Sequence, residues 1–448
     1  MEVVDAYGKP ILDANGNVVT QPAQFIAPAL IQQLYAASQD IPSNPNTGYL
    51  IGGGGQLNIT ARNMDLGATA GIVSQGPLEN PALANYFMQG AAINLNLSGN
   101  LDMFSTTISS LNGGNVTVNV GGYANIGSTF FTADDSVARG IYTVEKSDVS
   151  VIAGGDIELN GSRIAAYDGG NITVESLTGN VDAGSGGIGA VTVEEILVDP
   201  VTRQILTFEP TIPGSGILAT TFPPSLDPNF PPSLNTVGNI TVETPQGNIT
   251  ANAGGIVQLP LNGINTGAGT VSLSAGSKDP VTGDTLYVGN IDVSDSGVIG
   301  STVNLTATGN ITGVVIARTH LGVTALQNIN VVAISGGGAQ LNAGDSLQGT
   351  VFAVGSISGS GATVGATLLS QSVATTGTLT SSQIGFAPGT VANATSSSLQ
   401  NDETARQIAS ANQGEDDDSD LKKKGFSGNL PRLSKTTGRV TMILPNTP

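Results

Sequence analysis

The chain has 448 residues and a formal net charge of −19, with only 11% charged and 4% aromatic residues and neither Cys nor Trp. Such acidity excludes the basic stripe that nucleic-acid binding requires, and the absence of Cys excludes a disulfide framework and every thiolate metal site. Gly, at 61 residues, is at roughly double its usual share of about 7%. Val, Ile and Thr recur throughout, which argues against disorder and for many short strands around a core of small aliphatic side chains.

The first 50 residues read differently from the rest. Residues 4–20 have the pattern of a hairpin turning at Asn15-Gly16-Asn17. Residues 28–38 place Ala29, Leu30, Leu34 and Ala37 at helical spacing, ahead of the breakers Pro42, Pro45 and Gly48. Met1-Glu2-Val3-Val4-Asp5 has no basic stretch followed by an apolar one, so it does not read as a signal peptide. No run of about 18 apolar residues marks a transmembrane span. Gly52-Gly53-Gly54-Gly55 has no Gly-Lys-Ser/Thr after it, so it reads as an entry to the first repeat and not as a phosphate loop.

From residue 51 to about 395 one unit recurs: Gly, then Asn or Asp, then an aliphatic residue that opens a period-2 strand. It occurs at Gly99-Asn100-Leu101, Gly114-Asn115-Val116, Gly155-Asp156-Ile157, Gly170-Asn171-Ile172 and Gly179-Asn180-Val181. Later copies open at Gly238, Gly247, Gly289 and Gly309. Within the strands Val116/Val118/Val120, Ile172/Val174, Ile240/Val242, Val271/Leu273 and Val303/Leu305 point one way, with Thr, Ser, Asn and Glu pointing the other. Residues 171–188 align without gaps to 239–256, with about eleven of eighteen positions identical, as stacked repeats do.

Short strands with Gly-Asn corners and no intervening helices cannot pair through βαβ crossovers. The expectation is an all-β, right-handed parallel β-helix of a dozen or so coils, roughly 60 Å long at about 4.8 Å per layer. Gly and Asn should take the left-handed corner conformations, and like should stack on like inside. Insertions are expected near 75–89, 129–142, 194–237 and 278–288. The third is rich in Pro, with a hairpin around Val198-Asp199-Pro200, and the fourth turns at Thr282-Gly283-Asp284. Residues 396–448 form a tail: a short helix at 401–412, an acidic run at 415–420, Lys422-Lys423-Lys424, and a terminal strand at 439–444.

The Gly-Asn-Ile-Thr units, the small-residue alternation and the lack of Cys resemble filamentous haemagglutinin-type exoproteins of two-partner secretion systems. The similarity is concentrated from Gln327-Asn328-Ile329-Asn330-Val331 to Gly355-Ser356-Ile357-Ser358-Gly359, and from Leu368-Leu369-Ser370-Gln371 to Gly385-Phe386-Ala387 with the charged tail. It extends over most of 50–448 and implies a right-handed β-helix, export through an outer-membrane partner transporter, and adhesive or surface-structural roles. The sequence departs from that family in showing no signal peptide and no N-terminal secretion domain, which suits a C-terminal piece of a longer protein.

Right-handed β-helices also carry polysaccharide lyases and hydrolases, so the residues must decide. The single His, His320, has no Gly-x-Ser-x-Gly elbow anywhere in the chain to supply a nucleophile. Candidate carboxylate pairs for glycoside hydrolysis are Asp134-Asp135 or Asp292 with Asp295, and a pectinase-type Asn-Thr-Asp and Gly-His-Gly set is missing. The acidic run 415–420 lacks EF-hand spacing. Sequons such as Asn58-Ile59-Thr60 follow from the repeat itself. The reading is therefore a non-catalytic surface or extracellular adhesin segment, with no catalytic, cofactor or metal residues and a glycan or cell-surface ligand. A polysaccharide-binding or depolymerising β-helix and a self-associating filament subunit are the alternatives.

Overall fold

A computed structural model of the chain describes residues 48–52, 54–67, 69–75, 90–111, 113–127, 139–184, 191–192, 195–198, 205–208, 211–212, 215–222, 233–251 and 255–380. The hairpin, helices, acidic run and terminal strand expected in 1–47 and 381–448 lie outside these residues, as does the expected insertion beyond Gln75. Among the described residues the protein is all-β. It has no helix, and 29 strands are hydrogen-bonded into one continuous sheet.

The pairings resolve into three parallel ladders, visited by the chain in a fixed order. The first joins Gly48–Gly52, Gly71–Gln75, Thr107–Leu111, Gly140–Val144, Arg163–Tyr167, Gly216–Thr220 and Gly255–Leu259. It continues through 298–300, 315–317, 333–335, 351–353 and 367–369. The second joins Gln56–Ala61, Ala92–Leu97, Val116–Val120, Val149–Ala153, Ile172–Ser176, Ile240–Thr244 and 270–275. Its later members are 302–307, 320–325, 338–343, 357–360 and 372–376. The third runs from Met64–Gly67 through Leu101–Met103, Ala124–Asn125, Ile157–Glu158, Val181–Asp182 and Ile249–Thr250, then through 291–293, 311–313, 329–331, 347–349, 363–364 and 378–379. Twelve layers stacked at about 4.8 Å extend roughly 55 Å.

Alternation along each strand sends one set of side chains inward, and parallel register stacks them. In the second ladder Leu95, Val118, Val151, Val174 and Val242 lie in consecutive layers and are fully buried. The sequence duplication is itself a register: Ile172, Thr173, Val174 and Glu175 pair with Ile240, Thr241, Val242 and Glu243.

The Gly-Asn corners work differently from expectation. Of the nine recurring glycines only Gly170 has a left-handed φ, at 94°, and none of the following Asn or Asp residues does. At eight of the nine, all but Gly155, glycine is required because successive corners nearly touch. A Cβ on Gly179 would fall 2.5 Å from the Asp156 backbone nitrogen and 2.6 Å from the Gly155 carbonyl carbon. The Asn side chains form a chain of hydrogen bonds from layer to layer. The Asn180 backbone N–H and Nδ2 donate to Asp156 Oδ1, and Asn248, Asn290, Asn310 and Asn328 repeat the arrangement, each on the residue below, at 2.7–3.2 Å. A second chain runs Asn115, Asp148, Asn171, Asn239, Thr270.

Two insertion boundaries are corrected. Gly140–Val144, the end of the expected 129–142 insertion, is a fully buried strand of the first ladder. Gly216–Thr220, inside the expected 194–237 insertion, is another. Both strands are covered on both faces, so they read as continuous apolar runs without the alternation that marks the others. The Gly216–Thr220 strand divides the excursion in two, 182→216 and 220→240, and within the first Val191–Thr192 pairs antiparallel with Thr211–Ile212, and Glu195–Val198 with Ile205–Phe208. Asp199 and Pro200 lie outside the described residues. Residues 276–278 pair antiparallel with Thr285–Val288, Gly283 has φ 77°, and Asp279 Oδ1 accepts from the N–H groups of Val281 and Thr282.

Two stability outcomes follow from the stacking. Gly179→Ala should cost about 1–3 kcal/mol by forcing two corners apart. Asn180→Ala, which removes one side-chain bond to Asp156 and two from Asn248 at about 0.5–1.5 kcal/mol each, should cost about 1.5–4.5 kcal/mol. Both are read from denaturant midpoints, and an unchanged midpoint for either would refute this account of the corners. In contrast, Glu243→Gln should stabilise by about 0.2–1 kcal/mol, because Glu175 and Glu243 are in-register like charges. That gain should shrink in high salt.

Candidate functional site

Long connections cluster on one side of the fold. Those of more than nine residues among the ladder crossings run 75→92, 125→140, 182→216, 220→240, 259→270 and 275→291. All but the last adjoin the first ladder. Between the second and third ladders the turns are one to four residues long, apart from the hairpin before Ile291.

The outward face of the first ladder is correspondingly buried. Tyr142, Val144, Ala165, Tyr167, Leu218 and Phe222 form a second apolar cluster, separate from the central one. The Tyr142 and Tyr167 rings lie 5.8 Å apart at 52°. Arg163 shares this face at 1% exposure. Its Nη1 donates to Tyr167 Oη at 3.2 Å, while its Nε and the hydroxyls of Ser109 and Thr220 have no hydrogen-bond partner among the described residues. Burial pushes the Tyr167 phenol up, against the opposing charge of Arg163. At the edge of this face Asp168, with φ 60°, fastens the returning chain. Its Oδ1 accepts from Phe222 N–H at 3.2 Å and Ser233 Oγ at 2.5 Å, and its Oδ2 from Asn235 Nδ2 at 2.7 Å.

The third ladder carries an acidic outward column, in which Asp65 pairs with Asp102 and Glu158 with Asp182, and Asp292 continues the line beyond Thr250. Among the described residues no three or more His, Cys, Asp or Glu side chains are grouped so as to hold a metal ion. Tyr123 Oη donates to Asp102 Oδ2 at 3.0 Å.

Of the carboxylates singled out in the sequence, Asp134 and Asp135 lie outside the described residues, as does the side chain of Asp295. Asp292 is exposed, and its Oδ1 accepts from Ser294 N–H at 3.1 Å, Ser294 Oγ at 2.5 Å and Thr312 Oγ1 at 3.0 Å. His320 is exposed and stands in register between Thr302 and Gly338, so neither flanking layer offers it a carboxylate. Asn58 of the first sequon is engaged in a cross-layer bond, accepting from Asn94 Nδ2 at 2.9 Å.

A feature not read from the sequence lies beside Asp292. Ser294, Thr312, Gly313, Val314, Asn330 and Val332 line an open hollow of about 230 Å³. It forms where the register shifts between Val293 and Val298, so that 294–297 bulge out over the next layer. Gly297 at φ 78° and Gly313 at φ 126° permit the detour. The signal available in the sequence was the Ser294-Asp295-Ser296-Gly297 run between two aliphatic residues, which marks a bulge as readily as a strand end.

No protein-family model, curated protein or solved structure matches the chain.

The Tyr123 contact yields a pH test. Its hydrogen bond to Asp102, reinforced by that carboxylate's charge, raises the phenol above its ordinary value of 10.0. A raised value means that the contact is intact below the unfolded-state value and is lost as pH rises through the folded one. Ultraviolet titration should show Tyr123 ionising late alongside the buried Tyr167, and Asp102→Asn should return the Tyr123 share alone toward the ordinary midpoint. A titration unmoved by Asp102→Asn would refute the contact.

Proposed function

We propose that the chain is a right-handed parallel β-helix serving as a non-catalytic structural or adhesive rod at a cell surface. The observation that carries this reading is that five of the six long connections adjoin the first ladder, while the turns between the other two ladders are short apart from the one hairpin before Ile291. Solenoids place variable insertions on the face that meets a partner. The repeating ladder order supports the β-helix, and right-handedness follows from the strong preference of parallel crossovers for that hand. The sequence resemblance to filamentous haemagglutinin-type exoproteins supports the surface location and export through an outer-membrane partner transporter. The exposed single His and the lack of an arranged acid pair among the described residues favour binding over turnover.

The test uses the full chain and a variant in which 191–212, the hairpin excursion before Gly216, is replaced by a short Gly/Ser linker. Retention on cells and on immobilised glycans should fall in the variant while its circular dichroism and melting midpoint hold. Retention equal to that of the parent chain, or release of reducing ends from a polysaccharide panel, would overturn the proposal.

A further inference from the structure

We propose that the hollow at the 294–297 bulge is a subsite for one neutral sugar residue. The inference deepens the adhesive reading and rests on it. Hydrogen-bond polarity is the first argument. Ser294 spends its backbone N–H and its hydroxyl proton on Asp292 Oδ1, and Thr312 spends its hydroxyl proton on the same oxygen. What remains toward solvent is acceptor capacity: the lone pairs of the two hydroxyls and the second carboxylate oxygen. Asn330, exposed in the next layer and in register with Thr312, adds one amide that both donates and accepts. A rim so rich in acceptors selects a ligand that brings its own donors.

The second argument is the apolar side of the hollow. Val332 is 45% exposed and lines the hollow together with Val314. Acceptors on one edge and aliphatic surface on the other match a pyranose, whose equatorial hydroxyls donate while its C–H face packs on carbon. The hollow, at about 230 Å³, is smaller than the roughly 300–1,000 Å³ that holds a drug-sized ligand, which limits the occupant to a single ring. A divalent cation is a poorer fit, since it takes six to eight oxygens, usually from several carboxylates, and among the described side chains Asp292 is the one carboxylate whose contacts define this rim. The bulge supplies the geometry: without 294–297 the chain would pass from Val293 to the first ladder as Gly313 does one layer on, and Ser294 would not overhang Thr312.

The test is saturation-transfer NMR and calorimetry of the full chain against a panel of neutral hexoses, N-acetylhexosamines and uronic acids, with Ca²⁺ alone as a separate arm. Saturable binding of at least one neutral sugar is expected. It should weaken at least tenfold in Asn330→Ala and in Thr312→Val, with Val332→Ser weakening it by a smaller factor. Unchanged melting midpoints exclude unfolding as the cause, and Thr324→Val, an exposed Thr on the second ladder, serves as a control that should bind as the parent does. Failure of every neutral sugar to saturate, binding indifferent to all three substitutions, or Asp292-dependent binding of Ca²⁺ in place of sugar would each overturn the proposal. Loss of the hollow's sugar binding with surface retention intact would sink the subsite and leave the adhesive reading standing. Loss of retention on trimming 191–212 with sugar binding intact would do neither proposal harm.

Discussion

The rest of the structure depends on parallel, in-register stacking: every residue of a layer stands directly above its counterpart, at the spacing of a sheet hydrogen bond. Nothing in such a stack averages out. A residue that suits one layer must suit the layer above it, so Val lies against Val or Leu, Asn against Asn, and glycine recurs wherever two corners meet. The fully buried column Leu95, Val118, Val151, Val174, Val242 is the apolar form of this rule. The Asp156–Asn180–Asn248–Asn290–Asn310–Asn328 chain is its polar form. Asp156 only accepts; each Asn above it donates its amide downward and accepts from the layer above, satisfying backbone N–H groups that a turn would otherwise leave without a protein partner.

The same rule carries a cost. Stacking like on like also stacks charge on charge, and Glu175 over Glu243 or Asp65 beside Asp102 gains nothing from proximity. With a net charge of −19, the protein keeps most charges off its inward columns and spreads them along outward ones, where water and salt screen them. The exception in sign is Arg163. It is buried on the outward face of the first ladder, donating to the Tyr167 phenol, where the repeat rule gives way to a second core.

That face shows how a repetitive chain acquires individuality. The short turns between the second and third ladders leave little room for variation. Beside the first ladder, where the chain has room to leave and return, strands such as Gly140–Val144 and Gly216–Thr220 are covered on both sides, and Asp168 ties the returning segment down. The hollow beside Asp292 is a smaller departure of the same kind, a four-residue bulge that shifts the register between Val293 and Val298 and opens a shallow polar-apolar hollow.

The sequence by itself determined the strands, their inward faces and the layer-on-layer alignment, because the Gly-Asn-aliphatic unit and the period-2 alternation are local and are repeated under one geometric constraint. The match of 171–188 to 239–256 could be read as a register before any coordinates, and the hairpin at Thr282-Gly283-Asp284 is encoded by its own turn residues. Only the tertiary structure decided why glycine and asparagine occupy the corners. Close approach and side-chain bonding between residues up to 68 positions apart have no local signature, and a conformational explanation fits the same letters. It also decided that Gly216–Thr220 belongs to the core, since burial on both faces erases the alternation by which strands are recognised, and that Ser294, Thr312 and Asn330 share one hollow, since that neighbourhood is created by a register shift between layers.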